Sequence, residues 1–215
     1  MDLRAQWFAG LARQLGHPSG LRGRMVGAIL NSRNRVTVAA AVDALSLAPG
    51  SVVADLGFGG GVGLGRLLQA VGDAGQVHGI EVSETMLTSA ERGFRREIAA
   101  GRLRLHLASI QELPFQDDSL DGAITVNTIY FIDDLNAAFA ELARVMKVSA
   151  RGVVGLADPA TMADMPYTAY GFRTRPLVEV AEALASAGLT VEDDRRIGEG
   201  AGAYHLLVTG ASVAS

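Results

Sequence analysis

Apolar and polar positions divide the chain into short buried runs that alternate with helical stripes. Val52-Val53-Ala54 is apolar at successive positions, as in a strand covered on both faces. Similar runs at Gln76–Glu81, Leu103–Leu107, Ala123–Val126 and Gly152–Ala157 predict four more strands. Between them, apolar residues recur at helical spacing over Leu64–Val71, Glu84–Ala99 and Leu135–Met146. A helix over Pro176–Ala187 follows, then two strands, Thr190–Ile197 and Ala203–Thr209, parted by Gly198, Gly200 and Gly202. Alternating β and α elements with buried strands predict an α/β fold with a doubly wound, mostly parallel sheet. Ahead of it, Leu3, Trp7, Leu11 and Leu15 recur every fourth residue with Phe8 beside them, which predicts a helix over residues 2–15. Gly16, Pro18 and Gly20 end that helix, and two further helical pieces cover Leu21–Leu30 and Val36–Leu47. The expected organisation is a helical cap over residues 1–48 and a core over 49–215, within one domain. The apolar stripe of the cap is read as core packing rather than as a membrane anchor. Asp158–Thr174 is a long loop with Met162, Met165, Tyr167 and Tyr170, and long loops in compact domains are often functional.

The chemistry gathers where the first strand ends. Asp55 and Leu56 run into Gly57, Gly59, Gly60, Gly61, Gly63 and Gly65, after which helical spacing resumes at Leu64, Leu67 and Leu68. A strand passing through a glycine turn into a helix is where an open α/β sheet binds nucleotide-like ligands. The dinucleotide pattern Gly-x-Gly-x-x-Gly fails in every register, with Val62, Leu64 or Arg66 at the third glycine site. The phosphate-binding loop fails as well, because no Lys follows the glycines. A carboxylate at the strand end suits an ammonium and a sulfonium better than a pyrophosphate.

The run Asp55-x-Gly57-x-Gly59-x-Gly61 resembles the first motif of class I S-adenosylmethionine-dependent methyltransferases. Glu81, 26 residues after Asp55 at the end of the next strand, stands where an acid can accept both ribose hydroxyls, a contact that a dinucleotide would share. Val82 and Met86 follow it, near the expected ribose and adenine. The run QELPFQDDSLDGAITV, residues 111–126, is similar to the family's later motifs. Where the family commonly carries an Asp for the adenine amino group, this chain has Ser109, which can hydrogen-bond without charge. The resemblance puts the Ile110 amide near the adenine and Asn127, just past the fourth strand, beside the methionine end and the transferable methyl. It also implies a Rossmann-like seven-stranded sheet in the order 3-2-1-4-5-7-6, with the last strand antiparallel. One departure is the missing Pro-Gly turn after the helix ending ELARVM, replaced by Val148-Ser149-Ala150-Arg151-Gly152. The similarity covers about residues 50–157; the N-terminal segment and the 158–174 loop lie outside it.

What the resemblance implies is S-adenosyl-L-methionine as methyl donor and a small-molecule acceptor, anionic or partly apolar, methylated at oxygen, or else at nitrogen or carbon. An oxygen acceptor benefits from a base. His17 in the cap is the histidine nominated, with Tyr130 as a second candidate catalytic residue and Phe131 beside it; His78, His106 and His205 fall inside expected strands. No metal is expected, since Asp158 past the fifth strand has no evident companion. Two other classes stay open: a non-catalytic cofactor-binding module of the same fold, and an NAD(P)-dependent oxidoreductase.

Composition narrows this further. The 215 residues are 49% hydrophobic and 20% charged, ordinary for one globular domain. Cysteine is absent, which excludes disulfides, zinc–thiolate sites and cysteine nucleophiles. With no secretory pattern and no apolar run long enough to cross a bilayer, a cytoplasmic protein without stable membrane insertion is expected. Charge is uneven: six Arg against Asp2 over residues 1–35 give +5, the rest gives −9, and the net is −4. An acidic body, and Thr128-Ile129-Tyr130 after Asn127 in place of Pro-Pro-Tyr, count against a nucleic-acid substrate. Oligomeric state is not set by these features, and a dimer is compatible with them.

Overall fold

The computed structural model describes residues 35–162 and 173–211. Residues 1–34, with His17 and the first two expected helices, lie outside the described residues, as do Met165, Tyr167 and Tyr170. Seven strands form one sheet: β1 Val52–Leu56, β2 Gln76–Glu81, β3 Leu103–Leu107, β4 Leu120–Val126, β5 Met146–Ala157, β6 Leu189–Ile197 and β7 Tyr204–Ala211. Their order is β3-β2-β1-β4-β5-β7-β6. The first five pair in parallel, and β7 runs antiparallel to both β5 and β6. Seven-stranded topology and the antiparallel β7 agree with the order implied above.

Helices cover both faces. On one lie α1, over residues 35–44, α2 Val62–Val71 and α3 Glu84–Gly93. Their Ala41, Val42, Leu64, Leu67 and Met86 pack with Val53, Val77, Ile124, Val153 and Leu206 of the sheet. The short α4 Arg95–Ala99 follows α3, because the helix expected over Glu84–Ala99 breaks at Phe94. On the other face are α5 Leu135–Val145, α6 Pro159–Met162 and α7 Leu177–Ser186. Phe139, Leu142 and Leu184 there meet Leu56, Ile80, Val154 and Leu156. The central strands β1, β4 and β5 thus divide their apolar side chains between two cores, the reason their sequences are apolar at consecutive positions.

Three boundaries differ from the pattern-based expectation. The helix over 35–44, assigned to the cap, is a layer of the core: Ala41 and Ala44 are fully buried. β4 starts at Leu120 rather than Ala123, because the Asp121 carboxylate accepts the Val52 N–H at 2.8 Å and takes Lys147 Nζ at 2.6 Å. β5 starts at Met146 rather than Gly152. Met146 pairs with Leu120, and a bulge separates that pair from Arg151 opposite Gly122. The bulge, with Val148 at its exposed tip, takes the place of the missing Pro-Gly turn.

Candidate active site

All parallel strands point their carboxyl ends to one rim, and the predicted site residues meet there. Gly57, Gly59 and Gly61 have φ of 77°, 51° and 81°, the left-handed region that favours glycine. The Gly57 and Phe58 amides donate to the Ile80 carbonyl at 2.8 and 3.3 Å, which fastens the loop to β2. Gly57 has a second constraint: an added Cβ would lie 2.5 Å from Thr128 Oγ1, whose hydroxyl donates to the Leu56 carbonyl at 3.2 Å. Thr128 therefore stitches the end of β4 to the end of β1. Nothing in the sequence pattern marks it, since its partner is 72 residues away.

Asp55 is 5% exposed at the end of β1. Its carboxyl lies under α2, where an added Cβ on Gly63 would come within 2.1 Å of Oδ2. Gly63 is glycine because the acid occupies the space a side chain would need. Burial, and next the charge of Glu81, push the Asp55 carboxyl up to about 8, so it is largely protonated at neutral pH. Among the described residues no hydrogen bond or ion pair reaches it.

Glu81 is anchored by three amides. Oε2 accepts the Gly59 N–H at 2.9 Å, and Oε1 accepts those of Val82 and Ser83 at 2.9 and 3.0 Å. A carboxylate offers about four acceptor positions, so contact with two further hydroxyls requires release of one of these amides. Ser83 caps α3 by accepting the Met86 N–H at 3.4 Å.

The remaining residues divide. Val82 is 47% exposed and Leu107, at the end of the adjacent β3, is 54% exposed, two apolar side chains left open on the same rim. Leu107 was not singled out by sequence. Met86 does not join them: it is 3% exposed and packs in the core between sheet and α3, since its helical position turns it inward. Ser109 Oγ accepts the Gln111 N–H at 3.1 Å, a local turn that holds the hydroxyl beside its own backbone. The Ile110 side chain is buried, while its amide makes no hydrogen bond among the described residues.

Asn127 takes a left-handed conformation, φ 61°, that turns the chain sharply off β4. Its amide donates to Gly155 O at 2.8 Å, Nδ2 to the Tyr204 hydroxyl at 3.4 Å, and Oδ1 accepts the Tyr130 hydroxyl at 3.4 Å. Tyr130 is 3% exposed and its hydroxyl also accepts the Ala157 N–H at 2.6 Å. A phenol so buried and so bonded is a strut between the turn after β4 and the end of β5. It is not poised as a catalytic base, which corrects the expectation for Tyr130. Sequence reasoning missed Tyr204 altogether; its role depends on the β5–β7 pairing, Ala157 opposite Tyr204.

The loop after β3 is clamped to α5. Arg144 donates to the carbonyls of Phe115 at 2.8 Å and Leu113 at 3.2 Å and to Asp117 Oδ1 at 2.7 Å, while Glu141 accepts the Leu113 N–H at 2.7 Å. Asp117 of the ELPFQDD run thus helps to hold the loop that follows Ser109 and Ile110.

Residues 53–149 match the family model described as a methyltransferase domain. Over that stretch the chain is similar to methyltransferases, in line with its resemblance to the class I S-adenosylmethionine-dependent family. A protein in a Streptomyces fradiae transposon is 37% identical over 54% of this chain and 33% of its own length. An O-methyltransferase of Penicillium expansum is 33% identical over 51% of this chain and 39% of its own. The chain thus spans about two fifths or less of these curated relatives. The crystal structure of a methyltransferase from Aquifex aeolicus superposes with a TM-score of 0.73 at 21% identity, covering 86% of this chain and 97% of that one. In this protein, the fit of a methyl donor is tested by the site itself. A buried carboxyl with no cation, a cradle of positive-φ glycines, an open apolar rim and an unpaired amide suit a ligand with an ammonium, a ribose and a flat base.

Proposed function

We propose that the protein methylates a small-molecule acceptor with S-adenosyl-L-methionine as donor, most favourably at a hydroxyl oxygen. The observation that carries this reading is Asp55, buried under Gly63 and beside the glycine cradle. The donor supplies an electrophilic methyl on a sulfonium, and the chain's own residues bind and orient it. In this reading Asp55 faces the cationic end, the amides of the Gly57–Gly61 loop line its path, and Glu81 takes the ribose. Val82 and Leu107 cover the base, with the Ile110 amide and the Ser109 hydroxyl at its edge. Asn127, fixed by Tyr130 and Tyr204, stands beside the reacting methyl. Displacement at a methyl group needs alignment and exclusion of water more than charged machinery. A small-molecule acceptor agrees with the acidic body and with the O-methyltransferase among the relatives. His17 remains a candidate base from the segment outside the described residues.

Calorimetry with S-adenosylmethionine, its demethylated product and NAD tests the donor, and turnover with an acceptor panel tests the transfer. Tight binding of the first two and none of NAD is expected. Binding of NAD alone would overturn the reading, and donor binding without any turnover would leave a cofactor-binding module.

A further inference from the structure

A second cluster of titratable groups sits on the same rim, two to four strands from β1, and the reading above gives it no task. Asp158 directly follows β5, His205 is the second residue of β7, and Asp194 and Arg196 lie on β6. The antiparallel return of β7 brings its first residues to the carboxyl ends of β4 and β5, with Leu156 opposite His205 and Arg196 opposite His205 on the other side. His205 Nδ1 is 2.9 and 3.0 Å from the two Asp194 oxygens. A carboxylate only accepts, so Nδ1 carries the proton, and the other ring nitrogen of the neutral imidazole is a base. Nε2 lies 3.7 Å from Asp158 Oδ2, beyond hydrogen-bond range, and makes no hydrogen bond among the described residues. Asp158 is itself held, by Arg196 Nη2 at 3.0 Å and the Ala160 N–H at 2.9 Å. That guanidinium also disfavours a metal ion in the cluster, and no group of three or more His, Cys, Asp or Glu placed to hold a metal ion is found among the described residues.

An acid that fixes the tautomer, an imidazole with its second nitrogen unspent, and a place at a ligand-binding rim are the parts of a general base. The rim position is tied to the site by two covalent neighbours. Tyr204, next to His205, reaches Asn127 with its hydroxyl, and Ala157, next to Asp158, is bonded to Tyr130, which also reaches Asn127.

Resting on the proposed methyl transfer, we propose that His205 accepts the proton of a hydroxyl acceptor, with Asp194 as its positioning residue. The acceptor O–H bond breaks and its proton passes to Nε2. The oxygen electron pair forms the bond to the methyl carbon, the carbon–sulfur bond breaks, and its pair stays on sulfur. The imidazolium then returns its proton to water. Asp158, Asp194 and Arg196 are the charged groups around the imidazole among the described residues.

The test uses the full chain, its His205→Gln and Asp194→Asn variants, and two phenols. At about pH 8, 4-methoxyphenol remains protonated like a tyrosine, whereas 4-nitrophenol is largely ionised. Loss of a general base costs about 100-fold or more, so kcat of His205→Gln with 4-methoxyphenol falls by about that factor while the loss with 4-nitrophenol is at least tenfold smaller. Asp194→Asn shifts the acid limb of the kcat/KM profile and lowers kcat more than it raises KM. A readout independent of turnover is the imidazole nitrogen spectrum: His205 shows the Nδ1–H tautomer, the Asp194→Asn variant loses it, and 4-nitrophenol added with the demethylated cofactor shifts Nε2. Equal losses for the two phenols, no turnover of either phenol by the parent protein, or an unmoved Nε2 resonance would overturn the proposal. Affinity for the demethylated cofactor separates the two readings: if it is absent from the parent protein the methyl-transfer reading fails, and if it is retained by all three proteins only the base assignment is at stake.

Discussion

Asp55 makes stability depend on pH through a single buried group. Its protonated form is favoured by burial and by Glu81, so its folded pKa of about 8 exceeds the ordinary carboxyl value of 3.8. The unfolded chain ionises first as pH rises, and the folded state binds more protons between these values. Stability is therefore highest below about pH 4 with respect to this group and is lost as pH rises to about 8. Asp55→Asn is expected to raise the melting temperature of the ligand-free protein, more at pH 8 than at pH 5, as scanning calorimetry would record. The same substitution should abolish the proton released when a cationic donor binds near neutral pH, measured by titration in buffers of different ionisation enthalpy. Gly63→Ala acts on the same carboxyl from above. With only 2.1 Å between the new Cβ and Oδ2, either the acid or the first turn of α2 must move. Donor binding should be lost while the far-ultraviolet circular dichroism stays near that of the parent.

Two elements carry consequences of their own. The loop after β3 is held to α5 by Arg144, whose guanidinium Glu141 and Asp117 keep firmly charged. Arg144→Ala frees the carbonyls of Leu113 and Phe115 and should weaken donor binding by roughly tenfold, about 1.4 kcal/mol, with smaller changes in kcat. The pair of edge strands β2 and β3 holds His78 and His106, with Nδ1 and Nε2 3.0 Å apart and Phe115 edge-on to both rings. Burial, His106 and Arg104 lower His78 to about 4, and His106 is lowered by burial and Arg104. Above about 6.5 both states are neutral and this contribution is complete. As pH falls from there toward 4 the unfolded chain takes up protons that the folded chain refuses, and stability declines. Urea midpoints measured across that range should fall steeply for the parent and less steeply for His78→Gln.

For the whole molecule, the two cores are separated by the sheet and joined through it. Phe139 is fully buried on the α5 side among Leu56, Leu142 and Leu156. Phe139→Ala should cost about 3–5 kcal/mol by transfer and cavity terms together, read from denaturant unfolding. The β7 return decides which side chains of the last two strands reach the rim. Because β7 is inserted antiparallel between β5 and β6, its first two residues are delivered to the rim where all parallel strands end. That places Tyr204 on Asn127 and His205 between Asp158 and Asp194.

The order of elements, the parallel sheet and the position of the glycine loop were legible in the sequence, because they depend on local facts. Consecutive apolar residues make doubly covered strands, and Asp55 with Gly57, Gly59 and Gly61 lies within seven residues of chain. Local spacing also put Glu81, Val82 and Asn127 at strand ends, where the rim was certain to be. What the sequence could not settle were contacts between distant residues and the direction of individual side chains. Met86 turned inward, Tyr130 became a strut, and the helix over 35–44 joined the core, each through packing against elements remote in the chain. Thr128 on Leu56, Arg144 on the Leu113–Asp117 loop, and the Asp194–His205–Asp158 cluster exist only once the sheet is assembled. A histidine inside a strand reads as core by its pattern; only the antiparallel register of β7, fixed by hydrogen bonding to β5 and β6, sets it at the rim between two acids.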